Sequence, residues 1–154
     1  MTAPIQVLVC YVPGDEPSLA RLEVELEAIG RSHPIEVRAV PARAPARAPS
    51  ELTTPGGVDV LLVLVSPRLA IGDEPSASRL RTLGELAVGP GRVVPILLEP
   101  TPAWTRHPEL GTLAALPDFA TAITDWVDED GAWAKVGAGL RRLVEHLATQ
   151  RDLP

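Results

Sequence analysis

The residues that could perform chemistry are spread along the chain and do not form a known catalytic motif. The three histidines, His33, His107 and His146, lack the spacing of a zinc site. The single cysteine, Cys10, lies within an apolar run and is interpreted as a core residue. There is no Gly-x-Ser-x-Gly segment for a nucleophilic serine, no Gly-x-Gly-x-x-Gly fingerprint and no P-loop. We therefore expect no metal site, and any functional site must be built from loops of the fold.

The stretch that would position such loops is residues 58–67, Val-Asp-Val-Leu-Leu-Val-Leu-Val-Ser-Pro. Its unbroken apolar run lacks the alternation of a half-exposed strand, which predicts a strand covered on both faces. A second apolar run at residues 92–98 contains Pro95, which indicates a weakly paired side or a bulge. The two runs are one helix-length connection apart, so we predict an α/β fold, a three-layer α/β/α sandwich with a parallel sheet.

The remaining segments predict three more strands and three helices. Strands are expected at residues 5–12, 35–40 and 120–126, and the alternating pattern of 35–40 is typical of a sheet edge. Helices are expected from Ser18 to Gly30, from Ser76 or Ser78 to about Val88, and from about residue 128 to 148. A Pro-Ala-Arg repeat at residues 41–49 predicts an extended loop. We expect a single domain over residues 1–148 and a frayed tail over residues 149–154.

Composition and charge narrow the class of partner. The chain has 154 residues and a net charge of −6, and Lys135 is its only lysine, so nothing resembles the basic stripe of a nucleic-acid binder. The N-terminus lacks the pattern of a signal peptide, and no segment has the length and apolarity of a membrane span. These features predict a cytoplasmic protein that binds neither nucleic acid nor membranes. A phospho-acceptor receiver domain is also excluded, because Ser66 stands where the acceptor aspartate would end the third strand.

Four segments, taken in order, resemble the TIR domain as it occurs in bacterial signalling and defence proteins. The first is Cys-Tyr-Val-Pro-Gly-Asp-Glu at 10–16, and the second is the 59–67 strand, which ends in Val-Ser-Pro. The third is Gly-Arg-Val-Val-Pro-Ile-Leu-Leu-Glu-Pro at 91–100, followed by Trp104. The fourth combines Leu-Ala-Ala-Leu-Pro at 113–117 with Thr-Asp-Trp at 124–126 and Asp-Gly-Ala-Trp at 130–133. The resemblance implies a five-stranded parallel sheet of order 2-1-3-4-5. It also implies one of two activities, self-association through loops and edges or cleavage of NAD at the nicotinamide–ribose bond.

The resemblance fails at the residue that matters most for catalysis. Enzymatic members of the family use a glutamate early in the helix that follows the third strand, which is the helix predicted here to start at Ser76 or Ser78. Counting back from Val94-Pro95 places Ser78 at the position of that glutamate, and counting forward from Ser66-Pro67 places Arg79 there. Glu74 lies about a turn too early and Glu85 about two turns too late, and they are the remaining candidates for a catalytic carboxylate. The pocket implied by the resemblance comprises Tyr11, Asp15, Ser66, Arg68 and Ser78.

Two functional hypotheses follow. The favoured one is a degenerate TIR-like protein–protein interaction module of a bacterial signalling or defence system, with no cofactor. Its partner would be a second copy or another TIR-like or effector domain. The alternative is a TIR-type NAD-cleaving hydrolase, with NAD as its substrate and a displaced carboxylate at Glu85 or Glu74.

Overall fold

A computed structural model describes residues 4–12, 14–41, 59–67, 93–102, 115–117 and 121–151 of the chain. The elements in these ranges are strands β1 (Ile5–Tyr11), β2 (Ile35–Pro41), β3 (Val60–Val65) and β4 (Val93–Leu97), helices α1 (Glu16–Gly30) and α2 (Glu129–Arg151), and a 3-10 turn (Ile123–Asp125).

The four described strands form one parallel sheet of order β2-β1-β3-β4. β3 lies between β1 and β4, with Val7 beside Val60 and Leu61 beside Val93. β2 lies at the edge, beside β1. The predicted parallel sheet, the interior position of the third strand and the edge position of the second strand are therefore confirmed.

The burial of β3 explains its unbroken apolar sequence. All six of its side chains are at most 1% exposed, and because successive side chains point to opposite faces, both faces of this strand are covered. One face packs against α1 and α2 to form the main core. The second helical layer of the predicted sandwich, including the helix predicted at residues 76–88, falls outside the described residues and stays a prediction.

Helix α1 packs against the sheet with the predicted apolar stripe. Leu19, Leu22, Leu26 and Ile29 are all buried, and the helix ends at Gly30 as expected. Its start differs from the prediction, because the helix begins at Glu16 and Asp15 precedes it as the N-cap residue. Ser18 therefore lies inside the first turn and is not its cap.

Helix α2 covers the same face of the sheet and is longer than predicted. Its buried residues include Trp133, Val136, Leu140, Val144 and Leu147. The helix continues to Arg151, past the end predicted near residue 148. The fraying of the tail stays a prediction. The hydroxyl of Thr149 donates to the carbonyl of Glu145 at 2.9 Å, a bond within the last turns.

The fifth strand predicted at residues 120–126 is wrong for the described part of that range. The N–H of Asp125 donates to Ala122 and that of Trp126 to Ile123, which winds residues 123–125 into a 3-10 turn. These donors are consequently not free to build a strand ladder. The segment keeps one bond to the sheet, from the N–H of Thr124 to the carbonyl of Leu98 at 3.1 Å.

Among the described residues, the outer side of β4 pairs with Leu116 through a parallel bridge. Leu97 donates to Leu116 at 2.8 Å, and Leu116 donates to the carbonyl of Pro95 at 2.9 Å. The carbonyl of Pro95 thus points away from β3, and its missing N–H would lie on that same side, where it removes no bond from the β3–β4 ladder. The pairing of this side beyond Leu116 involves residues outside the described ranges, so the weakly paired side expected from Pro95 stays a prediction.

Two further predictions concern the Pro-Ala-Arg repeat and the absence of a membrane-spanning segment. Beyond Pro41, which ends β2, the Pro-Ala-Arg repeat lies outside the described residues. Within the described ranges, no helix combines the length and the apolarity needed to cross a bilayer.

We predict that Leu22→Ala, at a fully buried position of α1, lowers the free energy of unfolding by about 2–5 kcal/mol, because it leaves a cavity beneath the helix. Val24→Ala is the matched control on the same helix, where the side chain is 60% exposed and the change should cost about 0.5 kcal/mol or less. Urea unfolding of both variants measures the difference, and equal midpoints would contradict the packing of α1.

Candidate functional site

In a parallel sheet of this strand order, the ligand-binding crevice lies at the carboxyl ends of β1 and β3. The chain leaves β1 toward β2 on one side, while β3 lies on the other, so the loops after these two strands diverge. Tyr11 ends β1 and is half-buried, and Ser66 follows β3 and is fully buried. The site must therefore be assembled from the β1–α1 turn and from the residues that follow β3.

The β1–α1 turn is short and held by its own hydrogen bonds. The N–H of Asp15 donates to the carbonyl of Val12 at 3.1 Å, and Gly14 adopts a φ of 105°, a conformation that favours glycine. The carboxylate of Glu16 accepts a hydrogen bond from the N–H of Gly14 at 2.8 Å. Glu16 thus returns to the turn that precedes it and occupies a backbone donor at the start of α1.

Asp15 and Ser66 meet at the centre of this crevice. The Ser66 hydroxyl donates to Oδ2 of Asp15 at 2.6 Å, and Ser66 and Asp15 are only 0% and 2% exposed. The Asp15 side chain makes no capping bond to α1. A buried carboxylate requires hydrogen-bond donors to offset its lost hydration, and Ser66 supplies one of them. The bond fastens the start of α1 to the end of β3 across 51 positions of sequence.

Of the predicted pocket residues, the structure brings Asp15 and Ser66 into contact and places Tyr11 at the end of the adjoining strand. Arg68 and Ser78 lie outside the described residues, as do Glu74 and Glu85. Their roles stay predictions. The sequence analysis did not single out Glu16 as a residue of this turn. A glutamate directly before Pro17 at the start of a helix could have indicated that role.

The Asp59 of the third-strand motif lies at the opposite end of the sheet and has a structural role. Its carboxylate accepts a hydrogen bond from the N–H of Gln6 at 2.8 Å, and its own N–H donates to the carbonyl of Gln6 at 3.0 Å. This paired contact begins the β1–β3 ladder immediately before Val60. The resemblance at this position therefore reflects sheet registration and not ligand binding.

The turn is electrostatically unsuited to an anion. The N-terminus of a helix normally attracts phosphate through its free N–H groups and its dipole. Here Glu16 occupies the first turn of α1 and Asp15 lies directly before it, while Pro17 lacks a backbone donor. A phosphate group placed there would meet two carboxylates and few donors.

The remaining described pocket is an open groove of about 580 Å³ between α1 and the edge strand β2. Its floor and walls combine apolar and charged side chains, namely Glu23, Leu26, Glu27, Gly30, Arg31, Ile35, Val37 and Ala39. Val37 is 38% exposed at its rim, and Glu36 and Arg38 are exposed on the other face of β2. Among the described residues no three histidine, cysteine or acidic side chains are grouped to hold a metal ion.

Comparison with known proteins shows the fold. The chain is similar to a diflavin flavoprotein A3 from Nostoc sp., with a TM-score of 0.61 and 16% identity over 97% of this chain and 99% of that one. It is also similar to a flavodoxin-like domain from Synechococcus sp., with a TM-score of 0.51 and 18% identity over 88% of this chain and 99% of that one. The fold is flavodoxin-like. No protein-family model and no curated protein matches the sequence.

These neighbours bear on two predictions, the TIR resemblance and the absence of a cofactor. A flavodoxin-like fold is compatible with the TIR resemblance, and membership of the TIR family stays a prediction. Since one neighbour is a flavoprotein, the comparisons give no support to the expectation that this chain uses no cofactor.

We predict that Ser66→Ala lowers the free energy of unfolding by about 1–3 kcal/mol, because it removes a donor from the buried Asp15 carboxylate. Ser18→Ala is the matched control, since the same substitution inside the first turn of α1 should change stability by about 0.5 kcal/mol or less. Chemical denaturation compares the two. A Ser66→Ala protein as stable as the parent would show that this bond does not hold the crevice together.

Proposed function

We propose that the chain is a TIR-like protein–protein interaction module acting in the cytoplasm as part of a bacterial signalling or defence system. The observation that carries the proposal is the Asp15–Ser66 bond, which places a buried side-chain pair at the carboxyl ends of β1 and β3. The pair occupies polar groups that a ligand bound at this end of the sheet would contact, and it favours recognition through the protein surface instead.

A flavin is the cofactor that the flavoprotein neighbour suggests, and the residues at the switch point do not fit it. In flavodoxin-like sheets this cofactor binds at the carboxyl ends of β1 and β3. Its phosphate would need donors at the start of α1, where Asp15, Glu16 and Pro17 stand instead. The carboxylate of Glu16 also occupies the N–H of Gly14. We therefore expect no flavin mononucleotide binding at this site.

The NAD-cleaving alternative meets the same obstacle, since NAD carries a pyrophosphate. It further requires a carboxylate close to the ribose, where positive charge develops as the bond to nicotinamide breaks. The register of the sequence places Ser78 or Arg79 at the usual position of that carboxylate. An arginine there would place positive charge beside the developing cation and oppose the reaction.

The surface of the described sheet edge supports a binding role. The groove beside α1 is open, and Val37, which lines it, is 38% exposed. The strand beside this groove, β2, is the edge strand of the described sheet, and an edge strand has backbone groups on its outer side. Exposed apolar side chains next to a sheet edge are typical of surfaces that bind proteins.

We predict that the purified chain neither binds flavin mononucleotide nor releases nicotinamide from NAD, even at high protein concentration. Quenching of flavin fluorescence measures the first and chromatography of free nicotinamide the second. Because a missing carboxylate in such electrostatic catalysis typically costs about 10²–10³ in rate, turnover should not exceed that of a buffer control by a measurable amount.

Variants identify the source of any activity that is found. Turnover that is lost in Glu85→Ala or Glu74→Ala would overturn the binding-module proposal in favour of a displaced catalytic carboxylate. Turnover that survives both would direct the next test to Asp15. Tight flavin binding that is unaffected by Glu16→Gln would contradict the electrostatic argument at the β1–α1 turn.

A further inference from the structure

The outer side of β2 presents a regular row of backbone groups. The N–H of Ile5 donates to the carbonyl of Pro34 at 3.0 Å, which fixes the phase of the β1–β2 ladder. In a parallel ladder the bonds alternate along each strand, so Glu36 and Arg38 direct their backbone groups toward β1. Ile35, Val37 and Ala39 therefore direct theirs outward, and no other described strand pairs with that side.

The side chains of β2 alternate in a second, complementary way. Ile35, Val37 and Ala39 face the α1 side and line the groove, whereas Glu36 and Arg38 face the opposite side and are exposed. The Glu36 carboxylate accepts one hydrogen bond from Nε2 of Gln6 at 3.0 Å and has further acceptor sites. Glu36 and Arg38 carry opposite charges and lie one residue to either side of Val37. The strand therefore has a charge pattern that changes sign about its own midpoint.

We propose, on the basis of the protein-association function above, that a second copy of this chain pairs with β2 in an antiparallel manner about a two-fold axis at Val37. The outward backbone groups of Val37 would bond to those of Val37 in the second copy, and Ile35 would lie opposite Ala39. Glu36 of each copy would then lie opposite Arg38 of the other. The result is a continuous sheet across the dimer.

Charge selects this register from its neighbours. Hydrogen bonding requires the outward-facing residues to oppose one another, so the pairing can shift only in steps that keep this phase. A shift in one direction places Glu36 opposite Glu36, and a shift in the other places Arg38 opposite Arg38. Like charges directly opposite one another destabilise a strand pair, whereas opposite charges stabilise it. Only the pairing centred on Val37 makes two favourable contacts.

The groove beside α1 repeats this complementarity. The α1 helix lies antiparallel to β2, with Gly30 close to Ile35 at one end of the groove. Arg31 therefore lies near the Ile35 end, and Glu23 lies a few turns back along the helix. The two-fold axis would bring the Arg31 end of one groove to the Glu23 end of the other, which pairs opposite charges at both ends, while Glu27 at the middle would lie near Glu27 of the second copy.

Charge reversal tests both the surface and its register. Arg38→Glu gives a strand with two acidic side chains, and Glu36→Arg gives one with two basic side chains. Each change turns two attractive pairs into two repulsive ones, so we expect the dimer dissociation constant to rise by about tenfold or more in either single variant. Sedimentation velocity over a concentration series measures this constant. Lys135→Glu, an equal charge change at an exposed position of α2, is the control and should leave the constant unchanged.

Mixing the two variants is the decisive measurement. In the proposed register, Glu36→Arg and Arg38→Glu chains complement each other at both pairs, so an equimolar mixture should form a heterodimer that native mass spectrometry identifies. The double variant E36R/R38E should recover the homodimer. Val37→Pro removes an outward N–H without touching the β1 ladder, and it should abolish dimerisation while circular dichroism remains that of the parent.

The outcomes separate this surface from the wider proposal. Single variants that dimerise as well as the parent would overturn the β2 interface while leaving association through another surface in place. A mixture that stays monomeric, after both single variants have lost the dimer, would overturn the register. A parent chain that is monomeric at every concentration would overturn the self-association inferred here, and binding of a different TIR-like domain would then preserve the broader function.

Discussion

The structure depends on the burial of β3 on both of its faces. A strand with six consecutive buried side chains can only be accommodated between two neighbouring strands and two covering layers, which explains its place between β1 and β4. Each buried valine or leucine contributes about 1.5–3 kcal/mol through its removal from water. The same burial makes the end of β3 a demanding position, because the first polar residue after the strand is still inside the protein and must find a partner.

Ser66 is that residue, and Asp15 is the partner. The β1–α1 turn is tight enough to deliver Asp15 to the end of β3, since Gly14 supplies the positive φ and Val12 accepts the bond that closes the turn. The same contact places the buried Asp15 side chain at the carboxyl ends of β1 and β3, where a flavodoxin-like sheet offers its ligand site. One contact thus meets a constraint of folding and underlies the proposal that this end of the sheet does not bind an anionic ligand.

The sequence predicted the parts of the fold that are governed by periodicity. The apolar stripe of α1, the interior position of β3 and the edge position of β2 follow from spacing and alternation, and the structure confirms them. Prediction failed where local hydrogen bonds decide. Asp15 takes the N-cap position ahead of Ser18 because the turn has already closed, and residues 123–125 wind into a 3-10 turn because their N–H groups find carbonyls three residues back.

The site was harder to predict than the fold because it combines residues that are distant in sequence. Asp15 and Ser66 were selected through the family resemblance, but their direct contact depends on the β1–β3 register, which no motif specifies. The β2 edge illustrates the opposite case. Its alternation predicted only an edge, yet the phase of the ladder set by Ile5 and Pro34 determines which backbone groups face outward. Because that phase directs the backbone groups of Val37 outward, a two-fold axis at Val37 would place Glu36 of one copy opposite Arg38 of the other. The proposed surface therefore follows from the sequence and the strand register together.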